Sequence, residues 1–377
     1  MVLISYPNNL NIFLNKRCNL RCNYCFVNKN GSKNKEINIA SLNKAIEIFL
    51  ELPGRQKTIS FSGGEPLLRF GKIRNLYQYM QHKNNGNAKL VVAVVTNGTF
   101  LSESHYNFFK ENGIILKVSI DGNKSVHDYN RPFKLKKYGS SYERIIKNLK
   151  QFRGNKNEEY KIGASLVFSP VSVRRLLKNI KSLWKIGFGY IDFYPDLYAH
   201  WSEEELDEIE LVLQEFKNFY LAIFENAKSE NDIFENSLLH NFINEIQVYK
   251  PILCQKIHLD WKGNFYCCDK VFSLPEYKRK EFIIGDIDRG IDNRLRLRLL
   301  DQKRKEIRDL TGKDCNVCKY LKYCFCPIGH YIYFTSCTLD FKQYFPQFCR
   351  ISQIYIKNFL EIKRYLKSNP LFTQIYS

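Results

Sequence analysis

Cys18-Asn19-Leu20-Arg21-Cys22-Asn23-Tyr24-Cys25 is the stretch of the sequence that carries the most specific chemical information. Its three cysteines are separated by three and then by two residues, and an apolar run, Leu10 to Leu14, comes just before it. Cysteine thiolates are the usual protein ligands of iron–sulfur clusters, and this close spacing lets one loop cover one face of a cubane cluster. Three ligands for four irons leave one iron open to a substrate or a cofactor.

Three other interpretations of these cysteines are weaker. A zinc site needs a fourth cysteine or histidine at short range, and the nearest histidine is His82. Buried structural cysteines do not usually occur three at a time in a polar stretch. A disulfide requires export, and Met1 to Asn15 has no basic segment before its apolar run, so we expect no signal peptide.

Composition and length narrow the class of protein. A chain of 377 residues with 44% hydrophobic and 15% aromatic residues predicts a globular protein of two or three domains. No apolar run reaches about 18 residues, so we expect no membrane span. Twelve cysteines without an export signal predict a reducing compartment, the cytoplasm. The net charge of +20 indicates an anionic partner or reflects an AT-rich genome, and we expect a nucleic-acid partner less than an acidic peptide.

Strand-like and helix-like segments alternate from residue 10 to about 195. This alternation predicts a parallel sheet covered by helices. Six strand–helix units without a seventh and an eighth predict an α/β fold with a partial (β/α)6 barrel of the TIM type. The predicted strands are Leu10–Leu14, Thr58–Phe61, Val91–Val95, Ile115–Ile120, Ile162–Phe168 and Tyr190–Tyr194. The predicted helices are Ala40–Leu52, Leu67–Gln81, Glu103–Asn112, Ser141–Phe152 and Ser172–Ile186.

Glycine and polar residues follow each of the first four predicted strands. Because the carboxyl ends of parallel strands meet at one rim of the sheet, we expect these segments to lie together there. Each segment taken singly is typical of a turn, whereas all four on one rim favour a binding site. The segments are the cysteine loop at 18–25, Gly63-Gly64-Glu65-Pro66, Thr96-Asn97-Gly98 and Ser119-Ile120-Asp121-Gly122.

The cysteine motif with Tyr24 inside it, together with Gly63-Gly64-Glu65-Pro66, resembles the radical S-adenosylmethionine (SAM) superfamily over residues 10 to about 195. The resemblance implies a [4Fe–4S] cluster on the three cysteines, whose open iron chelates the amino and carboxylate groups of S-adenosylmethionine. It implies chemistry that begins with a 5′-deoxyadenosyl radical and hydrogen abstraction from a C–H bond. The residues it implies for cofactor binding are Tyr24, Gly63, Gly64, Glu65, Asn97, Ser119, Asp121 and Arg131.

The second half of the chain is rich in cysteine. The spacing Cys315-x2-Cys318-x5-Cys324 is typical of a metal-binding knuckle, and spacing alone does not separate zinc from iron–sulfur clusters. Before it, residues 201–250 predict a helical bridge of two helices, the first opening with a capping box at Ser202. The predicted domains are therefore 1–200 (barrel), 201–250 (bridge), 251–350 (cysteine-rich domain) and 351–377 (a C-terminal helix and tail).

The cysteine-rich part resembles a SPASM domain, an extension of radical SAM enzymes that carries two auxiliary [4Fe–4S] clusters. The only departure in spacing is that Phe325 alone separates Cys324 from Cys326. The resemblance implies three clusters in total. It assigns Cys254, Cys268 and Cys326 to the first auxiliary cluster, with Cys267, Cys337 or no residue as the fourth ligand, and Cys315, Cys318, Cys324 and Cys349 to the second.

Two further features of this half bear on function. Asp269 directly follows Cys268, and in anaerobic sulfatase-maturing enzymes an aspartate in this position is the catalytic base. The alternative is an aspartate that satisfies backbone donors. The basic stretch Arg294 to Arg308 predicts a solvated helix, or a contact with an acidic leader peptide.

The resemblance implies a peptide maturase that abstracts hydrogen from a residue of a ribosomally made precursor peptide. The products it implies are a thioether or C–C crosslink, an epimer or a related oxidation. The expected partners are the precursor with its leader and a reductant such as flavodoxin or ferredoxin. Two alternatives stay open: an anaerobic sulfatase-maturing enzyme that makes formylglycine, and a non-catalytic nucleic-acid-binding protein with zinc knuckles.

Overall fold

The carboxyl end of the first strand, β1 (Asn9–Asn15), is buried on both faces: Ile12 and Leu14 are wholly inaccessible on one face, and Phe13 and Asn15 are only 2% exposed on the other. A strand that is buried on both faces belongs in the middle of a sheet that is covered on both sides. The computed structural model describes residues 6–27, 36–151, 160–243, 254–335 and 340–376, so Cys337 lies outside the described residues.

Six parallel strands form the first part of the sheet in chain order, which confirms the predicted partial barrel. The strands after β1 are β2 (Gln56–Gly63), β3 (Lys89–Thr96), β4 (Ile115–Ser119), β5 (Gly163–Phe168) and β6 (Tyr190–Pro195). The helices around them are α1 (Ile39–Leu50), α2 (Phe70–Asn84), α3 (Glu103–Glu111), α4 (Lys124–Asn130), α5 (Ser141–Lys150) and α6 (Leu176–Ile186). The short helix α4 is absent from the sequence prediction.

The second half of the chain extends the same sheet. Strand β7 (Lys256–Leu259) pairs in parallel with the free edge of β1, so that Asn9 lies opposite Thr58 on one side and Lys256 on the other. Three antiparallel strands continue beyond it: β8 (Asn264–Tyr266), β9 (Ile283–Asp286) and β10 (Gly290–Ile291). The described residues thus form a sheet of ten strands that joins both cysteine-rich regions.

Helices of the bridge and of the C-terminus pack on each other. Helix α7 (Glu203–Asn226) begins with the predicted capping box, in which the Glu205 amide donates to Ser202 Oγ and the Ser202 amide donates to Glu205 Oε2. Ion pairs join α7 to α12 (Phe341–Leu366), including Lys217 with Glu361 at 2.5 Å. The remaining helices are α8 (Ser237–Ile243), α9 (Glu276–Arg279), α10 (Asn293–Thr311), α11 (Pro327–Phe334) and α13 (Pro370–Tyr376).

Two sequence predictions for this region are wrong. The last long helix begins at Phe341 and not near Ile351, so Cys349 lies inside α12, and Pro346 is accommodated in its second turn. The basic helix α10 is not fully solvated, because it buries Arg296 and Arg304 against the cysteine-rich region. No helix in the described ranges is long and apolar enough to span a membrane.

Candidate active site

The cysteine loop at residues 18–25 leaves the carboxyl end of β1 and is held by the segment that follows α4. The Arg21 amide donates to the Pro132 carbonyl at 2.8 Å, and the Asn23 amide donates to the Asn130 carbonyl at 2.9 Å. The Lys134 amide donates in return to the Asn19 carbonyl at 2.9 Å. Backbone bonds on both sides therefore fix the path of the loop and the positions of its three thiols.

The three thiols of this loop are partly buried and free of disulfides. Cys18 Sγ accepts from the Leu20 amide at 3.4 Å and from Asn97 Nδ2 at 3.6 Å, and such donors favour a thiolate. Burial nevertheless raises the pKa of Cys18 to about 11 and that of Cys22 to about 12. A bound cation removes this penalty, because a thiol that coordinates a metal is deprotonated. The donor set therefore fits a metal cluster held on one face by Cys18, Cys22 and Cys25.

Gly63 and Gly64 bring the end of β2 against the start of the cysteine loop. A Cβ on Gly64 would lie 2.0 Å from the Arg17 carbonyl oxygen, and Gly63 has a φ of +114°. The close approach allows the Gly64 amide to donate to the Asn15 carbonyl at 2.9 Å and the Glu65 amide to the Arg17 carbonyl at 2.7 Å. Glycine is required here because any side chain would occupy the space of the loop backbone.

Glu65 links this turn to the end of β3. Its carboxylate is fully buried and accepts from the Leu67 amide at 3.0 Å, from Thr96 Oγ1 at 2.5 Å and from the Asn97 amide at 2.7 Å. The Glu65 side chain, which the resemblance implies for cofactor binding, is thus hydrogen-bonded within the chain. The backbone of Glu65 and the two glycines, and not the Glu65 carboxylate, are therefore the part of this segment that lies next to the cysteine loop.

Tyr24, Asp121 and Arg131, three of the predicted cofactor-binding residues, bond to one another. Tyr24 donates its hydroxyl to Asp121 Oδ2 at 2.5 Å, and Arg131 Nη2 donates to Asp121 Oδ1 at 3.0 Å. The Arg131 guanidinium also lies 5.1 Å from the centre of the Tyr24 ring. Asn130 Nδ2 and the Val167 amide complete the shell of the carboxylate at 3.1 and 3.0 Å. Sequence reasoning missed this network, although Asn123, the N-cap of α4, was a signal for the helix that builds it.

The remaining rim residues lie where the alternation of strands and helices predicts. Asn97 follows β3, and its Nδ2 reaches Asn19 Oδ1 at 2.9 Å as well as Cys18 Sγ. Ser119 is the last residue of β4 and is partly buried, opposite Ser165 of β5. The cysteine loop, the glycine turn and the ends of β3 and β4 therefore share one rim of the sheet.

The other described cysteines form two groups. Around the first group, a Cβ built on Gly329 would lie 3.6 Å from Cys268 Sγ and 3.9 Å from Cys326 Sγ. Burial, and then the charge of Cys254, raises the pKa of the Cys267 thiol to about 12, and Cys326 adds to the effect. We call these residues the first thiol group: Cys254, Cys267, Cys268 and Cys326.

The second thiol group includes Cys349 of α12 and cysteines of the segment between α10 and α11. Burial, and then the charges of Cys315 and Cys318, raises the pKa of Cys349 to about 11. Burial also raises the pKa of Cys324 to about 12, with contributions from Cys349 and Cys315. The group consists of Cys315, Cys318, Cys324 and Cys349. These are the four residues that the SPASM resemblance assigns to one auxiliary cluster.

In neither thiol group do the side chains meet at a single point in space. Among the described residues no three His, Cys, Asp or Glu side chains come close enough together to hold a single metal ion. The thiolates of a [4Fe–4S] cluster each bind a different iron, so its ligands do not need to converge in that way.

Asp269 and Lys270 lie between the cysteine loop and the first thiol group. Lys270 Nζ is 3.2 Å from Asp269 Oδ2 and 3.9 Å from the centre of the Phe26 ring, and Phe26 directly follows the cysteine loop. Burial alone would raise the pKa of Asp269, but the charges of Lys270 and His258 outweigh it and lower that pKa to about 2. Asp269 is therefore an ionised, paired carboxylate at neutral pH.

A cavity of about 1000 Å³ lies elsewhere, at the amino end of β6. Its walls include Trp184, Gly187 and Phe219. Because β6 runs parallel to β1, this cavity opens at the edge of the sheet opposite the cysteine loop.

Residues 12–170 match the family model of the Radical SAM superfamily. An uncharacterized protein of Methanocaldococcus jannaschii is 29% identical over 71% of this chain and 93% of its own length. A cysteine-type anaerobic sulfatase-maturating enzyme of Clostridium novyi is also 29% identical, over 69% of this chain and 72% of that enzyme.

Solved structures show the same fold at lower identity. The structure of anSMEcpe with bound AdoMet and the Cp18Cys peptide has a TM-score of 0.70 at 20% identity and covers 95% of this chain and 99% of that one. Streptococcus suis SuiB bound to the precursor peptide SuiA has a TM-score of 0.58 at 16% identity and covers 87% of this chain and 73% of that one.

Proposed function

Because the chain carries a radical SAM domain and is an enzyme of that superfamily, we propose that it is a maturase that abstracts hydrogen from a residue of a ribosomally made precursor peptide. The observation that carries the proposal is the contact of Lys270 with Phe26, which brings the first thiol group up to the cysteine loop. The alternative of a non-catalytic nucleic-acid-binding protein is not supported, since the family match indicates an enzyme.

The three cysteines of the loop and the two thiol groups would hold the iron–sulfur clusters. Cys18, Cys22 and Cys25 would hold one [4Fe–4S] cluster, and the backbone at Gly63 and Gly64 would lie beside S-adenosylmethionine. When bound, these groups supply a 5′-deoxyadenosyl radical. The two thiol groups would hold two auxiliary clusters, with Cys267 as the fourth ligand of the first because it is buried beside Cys254.

The chain's own contribution is to place a peptide between the cysteine loop and the first thiol group. Lys270 and Asp269 keep 22% and 30% of their side chains exposed, so a substrate can reach both. Aromatic rings surround them: Tyr198 stacks on Tyr333 at 3.8 Å, and Phe26 lies over Lys270. These rings would exclude water from the reacting residue, while the ammonium of Lys270 would bind a peptide carbonyl or carboxylate.

A peptide substrate is consistent with the solved relatives, which include anSMEcpe with the Cp18Cys peptide and SuiB with its precursor peptide. The precursor would carry a leader, and a flavodoxin or ferredoxin would supply the electrons. The net charge of +20 favours an acidic leader.

The second candidate is the formation of formylglycine in a sulfatase. The Cys268-Asp269 pair and the sulfatase-maturating relatives favour it. The pairing of Asp269 with Lys270 weakens it, because a carboxylate with a pKa of about 2 is a weak base at neutral pH.

The first experiment tests the cofactors. Anaerobic reconstitution with iron and sulfide should give about twelve irons per chain if all three sites hold four-iron clusters. With dithionite and S-adenosylmethionine, the protein should release 5′-deoxyadenosine. Uptake of zinc without sulfide would contradict the proposal.

The second experiment separates the two products. The loaded enzyme is incubated with precursor peptides encoded beside its gene and, separately, with a sulfatase-derived peptide. A crosslinked or epimerised precursor supports the main proposal, whereas an aldehyde that reacts with a hydrazide supports formylglycine. The variant Asp269→Asn should remove the aldehyde if Asp269 is the base. Asp288→Asn makes the same chemical change at a side chain that is 80% exposed and serves as the control.

A further inference from the structure

Helix α10 has two chemically different basic faces. Arg294, Arg298 and Lys305 are exposed to solvent. Arg296 is wholly buried, and Arg304 keeps only 7% of its surface exposed. Arg304 follows Arg296 by eight positions, so the two lie on the same face of the helix, together with the buried Leu300 midway between them.

Arg296 is anchored beside the first thiol group. Its Nη1 donates to the Cys254 carbonyl oxygen at 2.6 Å, and its Nε donates to Asn293 Oδ1 at 2.8 Å. Both bonds fix the plane of the guanidinium. The charges of Cys254 and Cys267 act on it, although burial dominates and lowers the pKa of Arg296.

Arg304 is buried on the face of α10 that packs on the neighbouring helices of the cysteine-rich region. Helix α10 packs on α11, which begins directly after Cys326, and on α12, which contains Cys349. Burial lowers the pKa of Arg304, and the charges of Cys326, Asp301 and Cys315 oppose this effect, in that order of size. One of these cysteines belongs to the first thiol group and the other to the second.

Burying a cation is costly unless an opposite charge compensates it. Ligation to a cluster would turn these thiols into thiolates, which would add negative charge near both arginines to that of Asp301 near Arg304. A cluster becomes more negative by one charge when it takes up an electron. A fixed guanidinium nearby stabilises the reduced form more than the oxidised form. The effect is strong because the site is shielded from water.

We propose that Arg296 and Arg304 tune the reduction potentials of the two auxiliary clusters, with Arg296 acting on the first thiol group and Arg304 on both. The inference rests on the proposed auxiliary clusters. The buried face of α10 would thus act on the clusters, whereas its exposed face is available to an acidic leader peptide. Both arginines are positioning residues that act through the clusters.

The test uses the full chain with Cys18, Cys22 and Cys25 changed to Ala, so that auxiliary clusters alone remain. The reduction of each variant is followed by electron paramagnetic resonance during a potentiometric titration. Arg304→Met should shift both midpoint potentials to more negative values, and Arg296→Met should shift one. Arg296→Lys and Arg304→Lys keep the charge and should stay close to the parent. Arg298→Met, on the exposed face, should cause no shift.

A purely structural role would change iron retention and thermal stability without moving the potentials. If Arg296→Met does not retain iron, Arg296→Gln tests the same point, because its amide can still donate to the Cys254 carbonyl without a charge. If Arg304→Met or Arg296→Gln has the same midpoint potentials as the parent, the inference is wrong, while the proposed auxiliary clusters are not affected. The absence of iron and sulfide from the triple cysteine variant would overturn the proposed auxiliary clusters, and the inference with them.

Discussion

Replacing Gly64 with alanine tests the contact between the glycine turn and the cysteine loop. The added methyl group would lie 2.0 Å from the Arg17 carbonyl oxygen and 2.8 Å from the Lys16 carbonyl carbon. These are backbone atoms, so no side-chain rotation relieves the clash. The turn has to move away from the loop by more than an ångström.

The cost follows from the bonds that this movement breaks. The Glu65 amide donates to the Arg17 carbonyl at 2.7 Å, and the Gly64 amide donates to the Asn15 carbonyl at 2.9 Å. Each buried donor that loses its acceptor costs about 1–3 kcal/mol, so the loss of both bonds should lower the free energy of unfolding of Gly64→Ala by about 2–6 kcal/mol.

Gly71→Ala is the matched control. Gly71 is exposed in the first turn of α2, and a Cβ there would meet no atom within 4 Å. Alanine in a helix is favoured over glycine by about 0.5–1 kcal/mol, so this variant should be slightly more stable than the parent. The same chemical change thus has opposite expected signs at the two positions.

Urea denaturation of the apo-proteins, followed by circular dichroism under anaerobic conditions, measures both effects. Iron uptake of Gly64→Ala provides a second measurement, since Arg17 directly precedes Cys18. If Gly64→Ala unfolds at the same urea concentration as Gly71→Ala, the close approach of the two backbones described above is wrong.

Three more predictions concern the first cluster, the C-terminus and pH. Cys18→Ala should bind about four fewer irons per chain and form no 5′-deoxyadenosine; cofactor cleavage by this variant would contradict the site. Tyr376→Phe should lose about 1–3 kcal/mol of stability in urea, because the buried Tyr376 hydroxyl accepts from the Asn236 amide at 3.0 Å, whereas Tyr365→Phe, at an exposed position, should be neutral. Burial lowers the pKa of His127 from 6.5 to about 4, so the folded state binds fewer protons and loses roughly 3 kcal/mol as the pH falls from 6.5 to 4. His127→Gln should flatten this pH dependence of the urea midpoint, and an unchanged slope would exclude His127 as its source.

Much of the barrel could be predicted because its strands are long enough to show a pattern. Each of the six parallel strands has five or more residues, and the motif of each rim segment follows its strand directly. The strands of the second half have two to four residues, too few for periodicity to be visible, so their union with β1 was not predicted.

Pairing between charged residues was also beyond the sequence. Asp121 and Arg131 look like two polar groups available to a cofactor, but they bond to each other because α4 turns the chain back between them. In the sequence, the arginines of α10 likewise look like a series of charged residues on a solvent-exposed helix. Only the packing of α10 on α11 and α12 reveals that Arg296 and Arg304 face inward.

The position of β1 has a consequence for biosynthesis. One edge of this strand meets β2 soon after it emerges from the ribosome, but its other edge waits for β7, which begins at Lys256. At a synthesis rate of about 5–20 residues per second, the wait lasts on the order of 10–50 s. An open edge of an apolar strand is a template for aggregation during that time. We therefore expect the nascent chain to need a chaperone, and the denatured chain to need slow dilution when it is refolded. A chain truncated before Lys256 should precipitate when it is released from the ribosome.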